Sequence, residues 1–233
     1  MCGRFALTVT PEEVQALFGY EETPNFPPRS NIAPTEPIAV ITYENNKRHF
    51  RLMRWGLLPA WLKDPKGFPT LFNARGETIA SKPAFRAAAR HRRCLVPADW
   101  FYEWAHHGKQ KIPHRIKRAD GKTFAIAGLW ETYIHSNGSE IDTATIVTTD
   151  ANGTVSALHN RMPVIIPEEH FALWLESETE PFEKAMALIH PAADELLVVE
   201  AFDPRRGKIK PDAPPEKKPP RRKEKSDGQA SLF

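Results

Sequence analysis

The second residue of the chain, Cys2, has the groups needed to capture an aldehyde. Methionine aminopeptidases remove Met1 when the next residue is small, which would leave the amine and the thiol of Cys2 on adjacent carbons. An α-amine has a pKa of roughly 7.7–8.0, so on the order of 10% is neutral and nucleophilic at pH 7. The amine would form a Schiff base, and the thiol would then close a five-membered thiazolidine by an intramolecular step. A small residue that merely follows the start codon is the ordinary alternative.

A glutamate in an aromatic segment is a candidate acid–base group. If Trp100–Trp104 is a strand, Phe101 and Glu103 share one face, and Trp100, Tyr102 and Trp104 share the other. Partial desolvation by these rings would raise the pKa of Glu103 toward the range that is useful for general acid–base catalysis. An edge-strand glutamate with its carboxylate in water is an equally good interpretation.

Two further segments place a polar side chain two residues before an arginine. In a strand, Asn73 and Arg75 would share one face, so that Asn73 could bind an uncharged polar group while Arg75 contacts a phosphate. His159 can move protons near neutral pH, and Arg161 follows two positions later. A solvated arginine in a turn is the ordinary alternative for the first segment, and a structural histidine for the second.

The residues next to Cys2 also suit an anionic ligand, whereas the other cysteine suggests no site. Gly3 would allow close approach of a ligand backbone, and Arg4 offers a bidentate phosphate contact. Cys2 and Cys94 are far apart in a chain without an export signal, which argues against a disulfide. Neither a CxxC nor an HxxxH pair occurs, so we expect no metal and no cofactor.

The C-terminal segment differs in charge from the rest of the chain. The total formal charge is +3, but ten Lys and Arg oppose three acidic residues between Pro204 and Lys225, so this stretch carries +7 and the remainder −4. Prolines recur there while large apolar side chains nearly vanish. We therefore predict a domain over residues 1–203 and a disordered, basic, Pro-rich tail over 204–233. Any anionic ligand of the domain must be met by local clusters of cations.

Strand signals dominate the predicted domain, and helix signals are few. The capping box at Thr10–Glu13 predicts a helix that extends to about Phe18. Two more helices are predicted at Pro83–Arg90 and Pro167–Glu176. The predicted strands are Pro37–Tyr43 and Arg48–Trp55, which form a hairpin around Asn45-Asn46, and Arg93–Pro97, Trp100–Ala105, Ile112–Lys117, Thr123–Tyr133, Ile141–Thr148 and Glu195–Phe202. The pattern predicts an α+β domain with mostly antiparallel sheets that curl toward a barrel.

Taken together, these segments resemble the SRAP family, the abasic-site processing proteins first named SOS-response-associated peptidases. Each motif is weak alone, but their joint occurrence in the family's order across residues 2 to about 200 is highly specific. The matching segments are Met1–Phe5, Asn31–Thr35, Arg54–Pro59, Phe72–Arg75, Pro97–Trp104 and His159–Pro163.

The resemblance implies a compact α+β domain with a groove for single-stranded DNA that contains an abasic site. It implies that Cys2 forms a thiazolidine with the ring-opened sugar and that Asn73 hydrogen-bonds near the new ring. Glu103 would act as acid–base near the amine, and His159 would protonate the sugar oxygen and assist reversal of the crosslink. Because the same Schiff base can lead to β-elimination, a weak lyase activity is also expected.

The DNA contacts implied by the resemblance are mainly to phosphates. An abasic site has no base to read, so recognition must rest on phosphates, strand geometry and the aldehyde. Sequence-independent binding is therefore expected. The implied contact residues are Gly3, Arg4, Arg75, Trp104, Thr148 and Arg161.

The last five residues form a separate candidate binding motif. Gln229-Ala230-Ser231-Leu232-Phe233 resembles the short peptide by which bacterial repair and replication proteins dock on the β sliding clamp. In that motif Gln229, Leu232 and Phe233 would fill the clamp's pockets, and the +7 tail would tether the domain to replicating DNA. A frayed terminus is the alternative, since five-residue motifs recur by chance.

Two other function classes remain open from the sequence. One is a peptidase in which Cys2 is an N-terminal nucleophile, and its narrowest form acts only on the protein's own initiator methionine. The other is a DNA-binding module that shields lesions without reacting. No segment has the length of a signal peptide or a membrane span, so we expect a cytoplasmic monomer without a membrane partner.

Overall fold

The architecture is given by a computed structural model that describes residues 2–107 and 110–202. Within that part of the chain, no helix is long and apolar enough to cross a membrane. The predicted tail lies outside the described residues, and with it Gln229, Leu232 and Phe233. The domain boundary and the docking on a sliding clamp therefore stay predictions.

The described residues form thirteen strands and five α-helices. The strands are β1 (Phe5–Leu7), β2 (Arg29–Ile32), β3 (Pro37–Glu44), β4 (Lys47–Trp55), β5 (Asn73–Arg75), β6 (Arg93–Ala98), β7 (Trp100–His107), β8 (Gln110–Arg118), β9 (Phe124–Ile134), β10 (Glu140–Asp150), β11 (Arg161–Pro163), β12 (Ile165–Ile166) and β13 (Leu197–Ala201). The helices are α1 (Pro11–Phe18), α2 (Arg86–His91), α3 (Gly153–Ser156), α4 (Phe171–Leu175) and α5 (Phe182–Ala187). Short 3₁₀ turns lie at Gly76–Thr78, Glu168–His170 and Asp194–Leu196.

Five strands of the larger sheet close into a barrel. The order β10-β4-β3-β6-β9 returns to β10, because β10 pairs with β9 on one edge and, at Thr143 and Ala144, with β4 on the other edge. The β4–β10 pairing is parallel, and the other four pairings of the ring are antiparallel. Closure leaves no open edge in this ring. The predicted α+β class, with mostly antiparallel sheets that curl toward a barrel, is confirmed.

A second sheet, in the order β13-β8-β7-β1-β2, holds the N-terminal strand β1 between β7 and β2. Strand β1 lies antiparallel to β7, with Phe5 opposite Phe101, and antiparallel to β2, with Phe5 opposite Ile32. The barrel interior and the facing side of this sheet share one apolar core. The start of the chain is therefore held between two strands rather than at a free edge.

Local sequence signals account for several elements. Asn45 and Asn46 both have positive φ, 52° and 61°, as a tight turn between two twisted strands requires, and β3 and β4 pair along their full lengths. The capping box forms as predicted, since Thr10 accepts from the Glu13 backbone and Glu13 accepts from the Thr10 backbone. Gly19 ends α1 in the left-handed conformation.

Other predicted elements change in extent. Helix α2 begins at Arg86 instead of Pro83, because residues 83–85 are held in turns. The predicted helix at Pro167–Glu176 is a 3₁₀ turn followed by α4, which ends at Leu175. The short strands β1, β2, β5, β11 and β12 and the helices α3 and α5 were not predicted. These short strands exist because they pair with partners that are distant in sequence.

Asp99, at the corner between β6 and β7, anchors the end of β1. Its carboxylate is 8% exposed and accepts hydrogen bonds from the Thr8 and Val9 backbone N–H groups and from the hydroxyls of Thr8 (2.8 Å) and Thr123 (2.6 Å). Hydrogen bonds to a buried charged group are worth more than neutral ones, and their loss leaves donors unsatisfied.

We therefore expect Asp99→Ala to lower the free energy of unfolding by about 2–4 kcal/mol. The measurement is urea denaturation followed by tryptophan fluorescence. Asp120→Ala is the control, because Asp120 forms an exposed ion pair with Arg118 and should cost less than about 1 kcal/mol. Equal losses for the two variants would contradict the anchoring role of Asp99.

Candidate functional site

Cys2 lies immediately before β1 and is completely buried. The Tyr102 backbone N–H donates to the Arg4 carbonyl at 2.9 Å, which continues the β1–β7 register toward the start of the chain. Cys2 and Gly3 therefore run beside Glu103 on the neighbouring strand. The Cys2 thiol makes one long contact, 3.8 Å from Sγ to the Arg4 carbonyl.

Trp55 fixes the distance between β1 and the segment that carries Asn73. Its ring meets Phe5 edge-on with centroids 5.2 Å apart and meets Phe72 edge-on at 6.0 Å. The indole Nε1 donates to the Phe72 carbonyl at 2.8 Å. A completely buried Trp55 therefore packs against both segments that bring site residues together.

Asn73 contacts Cys2 directly. Strand β5 runs parallel to β10, with Asn73 opposite Ile146, and Asn73 Nδ2 donates to the Cys2 carbonyl at 2.8 Å. Asn73 Oδ1 is buried and has no hydrogen-bond partner among the described residues. An unpaired buried acceptor is costly. This one lies beside Cys2, where it could accept a hydrogen bond from an N–H group of a bound ligand.

Glu103 is 3% exposed and lies on the inner face of β7 with Phe101, as the alternation predicts. Burial raises the pKa of the Glu103 carboxyl, and the charge of the nearby His159 works in the opposite direction. Burial also raises the pKa of the Cys2 thiol, and the negative charge of Glu103 adds to that increase. The site therefore favours a neutral thiol beside a carboxyl group that gives up its proton less readily than usual.

His159 is held in one orientation by the chain around it. Asn152 caps the short helix α3 by accepting from the Val155 N–H at 2.9 Å, and the His159 N–H then donates to the Val155 carbonyl at 3.1 Å. The Arg161 backbone N–H donates to His159 Nδ1 at 2.9 Å. Because Nδ1 accepts, the neutral ring carries its proton on Nε2.

Two arginines near Cys2 have no acidic partner among the described residues. Arg4 is half-buried and donates through Nη1 to the neutral amide of Asn31 at 2.8 Å. Arg75 is exposed and follows Asn73 in β5 on the same face, with the buried Ala74 between them. These two positive charges remain available to an anionic ligand, and Gly3 lies between Cys2 and Arg4 without a side chain.

Arg161 is placed differently from the prediction that it contacts a phosphate. It is 8% exposed, and its guanidinium donates to both Glu77 oxygens at 2.7 and 2.9 Å, to Asp150 at 2.7 Å and to the Thr148 carbonyl at 2.7 Å. The guanidinium is thus already surrounded by acceptors within the protein. The structure favours a positioning role for Arg161, and a phosphate contact stays a prediction.

The two other residues whose DNA contacts are compared with the structure are Thr148 and Trp104. Thr148 is completely buried, and its hydroxyl donates to the Ala74 carbonyl at 3.4 Å, so its side chain has no surface to offer DNA. A DNA contact by Thr148 stays a prediction. Trp104 is half-buried on the outer face of β7, where its ring contacts Tyr102 at 6.5 Å. It shares a strand with Glu103 but points to the opposite face.

Several residues that build the site were not identified as candidates from the sequence. Trp55 and Asn31 belong to segments that match the family resemblance, but the sequence assigned neither of them a role. Glu77 gave no signal, because its partner Arg161 is 84 positions away. Among the described residues, no group of three or more His, Cys, Asp or Glu side chains could hold a metal ion.

Comparison with known proteins gives consistent matches over the described domain. Residues 1–205 match the family model described as SOS response associated peptidase (SRAP). The abasic site processing protein YoaM of Bacillus subtilis is 37% identical over 195 residues, which cover 82% of this chain and 86% of that protein. The abasic site processing protein YedK of Escherichia coli is 31% identical over a match that covers 76% of this chain and 81% of that protein.

A solved structure also matches the fold. A protein from Bacteroides thetaiotaomicron superposes with a TM-score of 0.80 at 24% identity, over 88% of this chain and 93% of that one. At this level of identity the match concerns the fold alone.

Proposed function

The chain belongs to the SRAP family, and we propose that it processes abasic sites in single-stranded DNA by forming a covalent crosslink through Cys2. The supporting names are those of its relatives, which are abasic site processing proteins. The observation that carries the proposal is the convergence of Asn73 and Glu103 on Cys2, from strands that are far apart in the sequence.

The proposed reaction needs the amine and the thiol of Cys2 together, so Met1 must first be removed. The neutral amine attacks the aldehyde carbon of the ring-opened sugar, and loss of one water gives a Schiff base. The thiol sulfur then adds to the same carbon, and its proton passes to the nitrogen. The product is a thiazolidine, formed with the net loss of one water. Asn73 Oδ1 is suitably placed to accept from the ring N–H.

In this scheme Glu103 supplies the proton and His159 supplies a hydrogen bond. Opening of the sugar and loss of water each require a proton on an oxygen. Glu103, with a pKa raised by burial, retains its proton to higher pH than an exposed carboxyl. His159 donates a hydrogen bond from Nε2–H to such an oxygen, because its Nδ1 accepts from the Arg161 backbone N–H. Removal of a sugar proton from the Schiff base would give β-elimination, which is the proposed origin of a weak lyase activity.

The state of the thiol bears on the peptidase alternative. A cysteine peptidase requires a thiolate, which a depressed pKa or an adjacent cation provides. Burial and Glu103 instead raise the pKa of the Cys2 thiol. A neutral thiol is suitable for the second step of aldehyde capture, in which the amine attacks first. The raised pKa of the thiol therefore supports aldehyde capture over peptide-bond hydrolysis.

The proposed DNA contacts are the two uncompensated arginines, Arg4 and Arg75, which flank Cys2 and Asn73. Phosphate contacts of this kind release counterions and make binding dependent on salt. Gly3 leaves room for the backbone of the damaged strand between them.

We expect Arg75→Gln to weaken binding of undamaged single-stranded DNA and to reduce the slope of log K against log salt by about 0.7, the value for one phosphate on a single strand. Fluorescence anisotropy across a salt series measures the slope. Arg118→Gln is the matched control, because Arg118 is neutralised by Asp120. An unchanged slope for Arg75→Gln would remove this residue from the proposed phosphate contacts.

The crosslinking proposal is tested with purified protein whose loss of Met1 is confirmed by intact mass. The protein is mixed with single-stranded DNA that carries one abasic site or with the undamaged strand, and it is then separated by denaturing electrophoresis. The proposal predicts a heat- and SDS-resistant shifted band with damaged DNA only. Binding without such a band would favour a passive DNA-binding module, and cleavage of test peptides without it would favour the peptidase.

A further inference from the structure

A chain of contacts runs from Glu77 through Arg161 to His159. Glu77 accepts from both terminal nitrogens of the Arg161 guanidinium, at 2.7 and 2.9 Å, in the bidentate geometry that gives the strongest arginine–carboxylate pairs. The backbone N–H of the same Arg161 donates to His159 Nδ1 at 2.9 Å. We propose that Glu77 is a positioning residue that sets the orientation and tautomer of His159 by holding Arg161 in place.

Glu77 is the dominant of the two acidic partners of Arg161. Asp150 contacts only Nη1, through one oxygen at 2.7 Å, and its side chain is 80% exposed. Glu77 uses both oxygens and is 45% exposed, so its pair with Arg161 is the less solvated one. Exposed single contacts of the Asp150 kind contribute little to stability or orientation. The bidentate pair also fixes the plane of the guanidinium, which a single contact does not.

The position of Glu77 in the chain makes this contact a connection between two parts of the site. Glu77 lies in the 3₁₀ turn that directly follows β5, two residues beyond Arg75 and four beyond Asn73. The turn is packed tightly, since a Cβ on Gly76 would come within 2.2 Å of Ile189 Cγ2. The Glu77–Arg161 pair therefore ties the strand that holds Cys2 through Asn73 to the turn that carries His159.

The remaining acceptor of Arg161 supports the same role. Arg161 Nη2 donates to the Thr148 carbonyl on β10, the strand that pairs with both β5 and β11. If Glu77 loses its charge and one acceptor, the two parallel N–H···O bonds cannot persist, because an amide nitrogen would face a guanidinium donor. The Arg161 backbone, and with it the N–H that donates to His159 Nδ1, then loses this side-chain support.

The inference rests on the proposed function for its effect on rate, but its structural part can be measured without DNA. Long-range ¹H–¹⁵N spectra of ¹⁵N-labelled protein report which nitrogen of each histidine carries the proton. The His159 signals are assigned by their absence in His159→Gln. In the wild type we expect an unprotonated Nδ1 and a protonated Nε2. In Glu77→Gln we expect both tautomers to be populated.

The second measurement is the rate of crosslink formation with abasic-site DNA. We expect Glu77→Gln to slow it on the order of tenfold, since a small displacement of a catalytic group has effects of this size, with little change in binding of undamaged DNA. Asp150→Asn is the matched control, because it removes a charge from the same guanidinium at its exposed contact. It should leave both the His159 tautomer and the rate near those of the wild type.

The two measurements separate the possible failures. A wild-type tautomer in Glu77→Gln overturns the inference, whatever happens to the rate. A mixed tautomer with an unchanged rate also overturns it, because His159 orientation would then not matter to the reaction. If the wild type itself forms no crosslink, the proposed function fails while the tautomer still decides the structural part. Should Glu77→Gln unfold in thermal denaturation, Glu77→Asp keeps the charge, shortens the reach and gives the same test.

Discussion

A Cys2→Ala variant is expected to form no heat-resistant crosslink with abasic-site DNA, a loss of at least about 100-fold against the wild type. Alanine is also small enough for Met1 removal, so the variant keeps a terminal amine and can still form the Schiff base. It lacks the thiol that closes the ring, and ring closure gains its advantage from being intramolecular. A Schiff base alone hydrolyses during denaturation. Addition of borohydride before denaturation should therefore restore a shifted band.

The control for this experiment is Cys94→Ala. Cys94 is the other cysteine, is also completely buried and lies in β6 of the barrel, away from the start of the chain. Its replacement should leave crosslinking at the wild-type level. A heat-resistant band of wild-type intensity from Cys2→Ala, without borohydride, would show that the stable linkage does not involve this thiol.

Glu103→Gln is expected to slow crosslink formation by about 10²-fold, the lower part of the range for loss of a general acid–base group. Burial raises the pKa of the Glu103 carboxyl in the folded protein, so this group keeps its proton to higher pH than an exposed glutamate. It can no longer donate a proton once the pH exceeds this raised pKa. The neutral fraction of the α-amine rises as the pH approaches and passes its pKa of roughly 7.7–8.0. The wild-type rate should therefore pass through a maximum, while the rate of Glu103→Gln should only rise with pH.

Loss of folding cannot mimic this result. An acid whose folded pKa is raised stabilises the fold fully at low pH, and the stability declines once the pH exceeds its unfolded pKa. Glutamine does not ionise and therefore avoids this loss of stability, so Glu103→Gln should be at least as stable as the wild type at neutral pH in thermal denaturation. Glu200→Gln, in β13 of the same sheet, is the matched control for rate. An unchanged rate and profile in Glu103→Gln would exclude Glu103 as the acid.

The parts of the fold that follow from local signals could be predicted from the sequence. The hairpin at Asn45-Asn46 and the capping box at Thr10 depend on neighbouring residues, and both form as expected. The alternation along β7 placed Glu103 on the same face as Phe101, because a strand has a period of two, but it left open whether the carboxylate is buried. The class of the fold followed from the number of such segments.

The geometry of the site could not be predicted in the same way. Asn73 reaches Cys2 only because β5 pairs with β10, which lies about 70 residues further along the chain. Arg161 is occupied because Glu77 approaches from 84 positions away. These contacts depend on closure of the barrel, which no local pattern encodes. The family resemblance identified the residues but gave neither their distances nor the burial of Thr148.

The central claim is that the abasic site becomes attached to the amine and thiol of Cys2. The most direct test is tandem mass spectrometry of the crosslinked complex after digestion with trypsin and nuclease. Trypsin cleaves after Arg4, so the account predicts a modified Cys2-Gly3-Arg4 peptide whose mass equals peptide plus sugar remnant minus one water, without a free thiol. An adduct on a lysine, or an unmodified Cys2-Gly3-Arg4 peptide in the crosslinked fraction, would contradict it.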